Sequence, residues 1–168
     1  MAGEIGHTSI DPNGPQCICG LKGCLATLIG TPALLRRAKE ELRASGSHRP
    51  APTSIDELVN AAVDGDPISV GLIHYAGDKL GVGIANMLNL LNPQMVILGG
   101  GIARAGDLLL SAIRETIDGL SLPASIRNAQ IRTTALSEWG IAVGAATLAL
   151  ETALQEPSLF PTKLIGAL

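Results

Sequence analysis

Apolar residues recur at helical spacing through most of this chain, and turn-forming residues cut the pattern into segments. The stretch Gly23 to Gly30 is short and apolar, enough for one or two helical turns. Thr31-Pro32 opens a longer helix to about Ala44, with Thr31 as its cap and Leu34, Leu35, Ala38 and Leu42 on one face. Residues 45–53 are rich in Ser, Pro and Gly and read as a surface loop. Ser54 and Glu57 have capping-box spacing, which predicts a helix ending near Gly65. Asp66-Pro67 starts a long helix to about Leu91, with a broad apolar face from Ile68 to Leu91 that includes Leu72, Ile73, Tyr75, Ala76, Leu80, Leu88 and Leu90. Gly81 and Gly83 lower its propensity and imply close approach of a neighbouring backbone.

Asn92-Pro93 ends that helix, and Gln94 to Leu98 is a continuous apolar run of strand type, expected to be buried on both faces as in a parallel sheet. After Gly99-Gly100-Gly101, the pattern predicts a helix from Ala105 to about Ile117, a strand from Ala129 to Leu136 and a nearly all-apolar helix from Glu138 to Gln155. Ala142, Ala145, Ala146 and Ala149 suit that last helix to tight packing. Strand, glycine turn, helix and strand in this order imply an α/β layer. Two strands are few for the helices they must cover, which reads as part of something larger.

Composition narrows the function. Hydrophobic residues make up 46% of the chain against 16% charged, so it is globular, and with 2% aromatics its core must be aliphatic. A net charge of −3 excludes a broad basic face for nucleic acid, and Arg36-Arg37-Ala38-Lys39, followed by two glutamates, reads as the solvated side of a helix. The uncharged run Leu80 to Ala103 contains Pro93, three asparagines and five glycines, which lipid tolerates poorly. The expectation is a cytoplasmic protein with no membrane partner.

The candidate chemistry lies in Gly3 to Cys24, GEIGHTSIDPNGPQCICGLKGC, which holds all three cysteines. Three cysteines within eight residues do not make a disulfide framework. With His7 they supply three thiolates and one imidazole, a closed tetrahedral donor set for structural zinc, and Gly20 and Gly23 give the backbone freedom such a knot needs. The alternative is three free thiols in a reducing cytoplasm with His7 hydrogen-bonded beside them. Four suitable ligands clustered at loop positions favour zinc. If His7 binds metal through one nitrogen, the other can donate to a ligand. Glu4 could accept from a sugar hydroxyl, but composition alone makes it a solvated carboxylate, and Gly3 and Gly6 argue against a helix there. The glycines after Leu98 could admit a phosphate or simply turn the chain, and they lack the lysine of a P-loop. His48 and His74 read as surface or core residues.

The motif GEIGH, followed by CICGLKGCL, resembles the signature of the ROK family of repressors, open reading frames and sugar kinases, and LNP, the Gly99 to Gly101 turn and Gly144-Ala145-Ala146 follow in the family's order. The resemblance implies a partial actin-like ATPase (ribonuclease H-like) α/β domain with a zinc-binding loop. Its divisions would be residues 1–156 for the C-terminal ROK-type domain (zinc loop 3–26, α/β core 27–137, closing helix 138–155) and 157–168 for a tail. It also implies zinc on His7, Cys17, Cys19 and Cys24, a sugar pocket lined by Glu4 and His7, and a nucleotide-side turn at Gly99, Gly100 and Gly101 in kinase members. The amino-terminal phosphate loop and catalytic aspartate of such kinases, and the helix-turn-helix of repressor members, are expected to lie outside this sequence. The family commonly has a sugar-contacting glutamate two residues after the last cysteine; here that residue is Ala26.

Two functions follow from the resemblance. One is the effector-binding and oligomerisation region of a ROK-type transcriptional regulator, binding a sugar or sugar phosphate and reaching DNA only through a separate amino-terminal part. The other is the C-terminal part of an ATP-dependent sugar kinase, inactive without its catalytic domain. In both, the apolar closing helix is expected to need burial in a homo-oligomer or against another domain.

Overall fold

The computed structural model describes residues 3–136 and 139–156. Seven α-helices and two strands are found among them: α1 (Leu25–Ile29), α2 (Thr31–Ala44), α3 (Ile55–Val63), α4 (Pro67–Leu91), β1 (Met95–Leu98), α5 (Asp107–Leu120), α6 (Pro123–Asn128), β2 (Gln130–Thr133) and α7 (Gly140–Gln155). The anticipated tail, residues 157–168, lies outside the described residues. So do Ser137 and Glu138, at the anticipated start of the last helix.

The long helix α4 is the spine. Asp66 caps it by accepting from the Ser69 N–H at 2.8 Å, Pro67 occupies its first turn, and Asn92 ends it in the left-handed conformation at φ 46°. On one side, Leu34, Ala38, Leu58, Leu72 and Ala76 join α2, α3 and α4 in one cluster. On another, Ile73, Ile84, Leu88, Leu109, Ile113 and Ile117 form the larger core between α4 and α5, closed by Val96 of β1.

Small residues set how closely α4 and α5 approach. A Cβ on Gly77 would lie 2.5 Å from Ala112 Cβ, and one on Gly81 would lie 2.5 Å from Thr116 Cβ and 3.1 Å from the Ile113 carbonyl oxygen. Gly81 thus serves the close approach its position suggested. Gly77, one turn earlier, does the same and was not singled out by the sequence pattern. Gly83 faces Leu25, where a Cβ would be 3.4 Å from a methyl group.

β1 and β2 pair in parallel, Met95 opposite Gln130 and Leu98 opposite Thr133, with the glycine turn, α5 and α6 forming the crossover. The parallel sheet is as the apolar run implied, but its burial is not. Val96 faces the core, whereas Ile97 is 62% exposed, because no described element covers the other face of the sheet. Leu90 and Leu91 are likewise exposed, although Leu88 in the same turn is fully buried.

Two helix starts differ in detail from expectation. α2 begins at Thr31, with Gly30 rather than Thr31 as its cap. The Gly30 N–H bonds to the Ala26 carbonyl, ending α1, while its own carbonyl accepts from Ala33 and Leu34. One glycine therefore closes one helix and opens the next. At α3, Ser54 accepts from the Glu57 N–H at 3.1 Å, but the Glu57 carboxylate reaches back to the Thr53 N–H at 2.7 Å rather than to Ser54. Those bonds from Thr53 hold Glu57 below the ordinary carboxylate range.

Arg36 is solvated as anticipated, whereas Arg37 lies 4.1 Å from the centre of the Tyr75 ring and belongs to the α2–α4 contact. α7 forms where the apolar pattern placed it, but none of its residues is buried, Ala142, Ala145, Ala146 and Ala149 included. Among the described residues, no helix is long and apolar enough to cross a membrane.

Candidate metal knot and adjoining clefts

The cysteine loop folds on two short antiparallel bridges, Ser9 with Cys24 and Gln16 with Lys22. Asp11 starts the intervening turn, its carboxylate accepting from the Asn13 N–H and its carbonyl from the Gly14 N–H. The Cys17 N–H then bonds to the Leu21 carbonyl at 2.7 Å, closing a tight turn through Gly20 at φ +93°. Gly23 is the point no other residue could occupy. It has φ +61°, and a Cβ there would lie 1.6 Å from the Asp11 carbonyl oxygen.

This fold brings the four predicted ligands together. The donor atoms of His7, Cys17, Cys19 and Cys24 all lie within 4.8 Å of one another. His7 Nδ1 is 3.5 Å from Cys17 Sγ, Cys19 Sγ is 3.5 Å from Cys24 Sγ, and the Cys24 thiol is 3.5 Å from the His7 carbonyl oxygen, to which it donates. Nδ1 is the nitrogen on the sulfur side, and Nε2 is the one left for another partner. Cys17 and Cys24 are buried, and Cys19 is exposed.

The surroundings separate these thiols. Burial, followed by the neighbouring sulfurs of Cys19 and Cys17, pushes Cys24 up to about 12. The Leu21 backbone, hydrogen-bonding to its sulfur, holds Cys19 below the ordinary thiol range. One imidazole and three sulfurs converging on a small volume fit a closed four-coordinate metal site and leave no position for a reacting group.

The other anticipated site residues divide between two clefts. The first, about 300 Å3, is lined by Gly6, Ala26, Gly30, Thr31, Ile55, Gly100 and Gly101, so it joins the glycine turn to the start of the cysteine loop. Gly100 adopts φ +87°, and Gly101 sits so close to Ile55 that a Cβ would meet its methyl group at 2.6 Å. Arg104 fastens that turn to α3, donating to Asp56 at 2.5 Å and Asn60 at 3.2 Å. The second cleft, about 400 Å3, is lined by His7, Gln16, Ala26, Thr27 and Arg36 among others. Ala26 borders both.

Glu4 lies in neither lining. It is exposed and precedes a single 3-10 turn, Ile5–His7, where the glycines had argued against any helix. Gly99 stands beside the first cleft, near Thr134, without lining it. Arg36, Thr27 and Ile55 line these clefts without having been anticipated there; their contribution depends on α1, α2 and α3 meeting at Gly30 and Gly101, which no local pattern reveals.

A sequence profile described as the ROK family matches residues 1–152. The chain belongs to the ROK family. This ROK chain is 36% identical over 145 residues to the DNA-binding transcriptional repressor Mlc of Escherichia coli, covering 85% of the chain and 36% of the repressor. It is 30% identical over 158 residues to a glucokinase of Thermotoga maritima, covering 90% of the chain and 50% of that enzyme. Its fold matches the ROK family glucokinase from Streptomyces griseus, solved in complex with glucose and AMPPNP, with a TM-score of 0.72 to 0.75 across that structure and a ROK transcriptional regulator homologous to Mlc. The glucokinase match has 30% identity and covers 88% of this chain and 51% of that one; the regulator match has 34% identity and covers 79% and 34%. The ROK chain spans from about a third to about a half of the length of these relatives.

Proposed function

We propose that this chain is the effector-binding and oligomerisation region of a ROK-type transcriptional regulator, built on part of an actin-like ATPase fold. The observation that carries the reading is the convergence of His7, Cys17, Cys19 and Cys24 directly beside clefts bordered by Ala26. Zinc is the metal whose coordination preference fits three thiolates and an imidazole. Bound there it supplies a structural cross-link, not a Lewis acid for a reaction. With His7 Nδ1 bound to the metal, Nε2–H is a fixed donor for a sugar, and Glu4, exposed at the start of the adjoining turn and outside both cleft linings, is the acceptor a sugar would have to reach beyond them. The methyl group of Ala26 gives no hydrogen bond to a hydroxyl, which suits a pocket that senses a sugar more than one that reacts with it.

The kinase reading is favoured by one feature. Gly100 and Gly101 present backbone, without side chains, to the cleft that Gly6 enters, as a nucleotide-side turn would require. In that reading ATP and a hexose meet in a whole protein that also supplies a catalytic base, and this chain by itself transfers no phosphate.

The coding sequence upstream of Met1 separates the two. A helix-turn-helix pattern there supports the regulator, and an aspartate-glycine phosphate loop supports the kinase. Sugar-dependent thermal stabilisation of the purified chain tests the reading common to both, since a ligand that binds only the folded state raises its melting point. Absence of any such effect across simple hexoses and their phosphates would overturn it.

A further inference from the structure

Two sulfurs of the cluster are in contact, and they differ in how freely they can move. Cys19 Sγ lies 3.5 Å from Cys24 Sγ. Cys19 is exposed in the hairpin closed by the Gln16–Lys22 bridge, between Ile18, whose side chain is wholly in solvent, and Gly20, which has open space around it. Cys24 is the opposite. It has no exposed surface, pairs with Ser9 and caps α1, where the Leu25 N–H bonds to the Thr8 carbonyl at 3.0 Å. The third thiol, Cys17, is buried and has His7 Nδ1 at 3.5 Å.

An oxidant arriving from solvent meets Cys19, and the sulfur touching Cys19 is that of Cys24. We propose that Cys19 and Cys24 are a peroxide-sensitive pair, in which a disulfide closes between them and withdraws two of the four metal donors. The proposal rests on the zinc reading above and adds a modification that undoes it. As metal ligands both sulfurs are thiolates, the reactive form. The Cys19 sulfur attacks one oxygen of hydrogen peroxide, the O–O bond breaks, and a sulfenic acid forms as hydroxide leaves. The Cys24 sulfur then attacks the Cys19 sulfur, the S–S bond forms, and the second oxygen leaves as hydroxide. Two protons from solvent convert both hydroxides to water, so the sulfurs together lose two electrons and peroxide gains them. Movement falls to Cys19, because Cys24 is held by α1 and by Ser9. His7 and Cys17 are left as donors, half the set of a closed four-coordinate site. His7 also lines the neighbouring cleft, so its ring loses there the bond that orients it.

Treatment of the zinc-loaded whole chain with hydrogen peroxide, followed by a chromogenic chelator, tests the proposal against the same chain without peroxide. Peroxide should release about one zinc ion per chain. The mass should fall by two hydrogens, and a thiol reductant with added zinc should restore the starting state. Cleavage after Lys22 separates Cys24 from the other two cysteines, and fragmentation of the linked peptides should place the bridge on Cys19. Cys19→His keeps four donors in a set that zinc accepts but removes the bridge, and peroxide should no longer release the metal. Zinc retained under peroxide, a bridge that includes Cys17, or Cys19→His releasing zinc as the unmutated chain does overturns the proposal and leaves the zinc reading standing. Absence of zinc before any peroxide is added overturns both. The bridge mapping on the unmutated chain decides the matter even where Cys19→His does not load metal.

Discussion

Arg49 and Asp66 form an ion pair at 2.6 Å that ties the 45–53 loop to the first turn of the longest helix. Asp66 is doing two jobs, since the same carboxylate caps α4 through the Ser69 N–H. Burial pushes its acidity up, but Arg49 and Ser69 together outweigh that and hold it below the ordinary aspartate value of 3.8. A depressed native value stabilises the fold above the unfolded-state value, and that stabilisation is lost as the pH falls through the native one. Asp66→Asn should therefore flatten the acid limb of the stability curve below about pH 4. Asp66→Ala should cost about 1 to 2 kcal/mol at neutral pH through loss of the cap. Denaturant melts from pH 2 to 7 check both.

Glycine substitutions in the helices should separate by what each new methyl group meets. Gly81→Ala places a Cβ against Thr116 and the Ile113 carbonyl, and overpacking of about 1 to 3 kcal/mol should exceed the helix-propensity gain of up to about 1 kcal/mol. Gly71 and Gly119 have open space around them, so Ala at either should stabilise by several tenths of a kcal/mol. Thermal melts of the three variants should rank in that order, and a stabilised Gly81→Ala would show that α4 and α5 are not in close contact.

The metal knot should respond as a unit. The purified chain is expected to carry about one zinc ion, and chelation should lower its melting point, because affinity for the folded loop is folding free energy. Cys24→Ser should abolish metal retention, measured by elemental analysis of protein from zinc-supplemented medium. Stoichiometric absence of metal from the unmutated chain would refute the zinc assignment.

Gly23→Ala tests the same loop without touching a ligand. With φ +61° and the Asp11 carbonyl in the way, the substitution must break the turn that delivers Cys24. Metal should be lost although every donor atom is still in the sequence. Gly20→Ala has the positive φ but open space, and it should be milder.

The exposed apolar helix α7 should drive association. Ile141, Leu148, Leu150 and Leu154 all face solvent, an arrangement that favours burial against a second copy. Light scattering should give a mass above the 17.2 kDa of one chain, shifted towards the monomer by Leu148→Lys with Leu154→Lys. A monodisperse monomer would count against self-association.

Much of this was legible in the sequence because the signals are local. Asp66-Pro67 and Asn92-Pro93 bound α4 to the residue, and four metal-ligating side chains around a glycine-rich turn announced the knot. The parallel pairing of β1 followed from its unbroken apolar run. What was not legible depends on distant partners. The exposure of Ile97 reflects the absence of a covering layer among the described residues, a fact its own apolar character conceals. The short helix α6 begins with a proline but has too few residues for a periodic pattern, and Gly77 looks like any helical glycine until Ala112 is placed against it. Arg36 reads as a solvated charge from its neighbours alone, and only the folding of α2 beside the cysteine loop sets it at a cleft.

The handover at Gly30 bears on the order in which the molecule assembles. Cys24 is at once a candidate metal ligand and the cap of α1, and α1 passes through Gly30 directly into α2. All the contacts of the knot lie within the first part of the chain, whereas β1 must wait for β2 to arrive after the whole of α5 and α6. Low-contact-order structure forms before long-range pairing, since less chain entropy is lost in closing it. A metal captured early would thus fix the direction in which α1 and α2 grow, making the knot a nucleus for folding as well as a brace for the finished cleft.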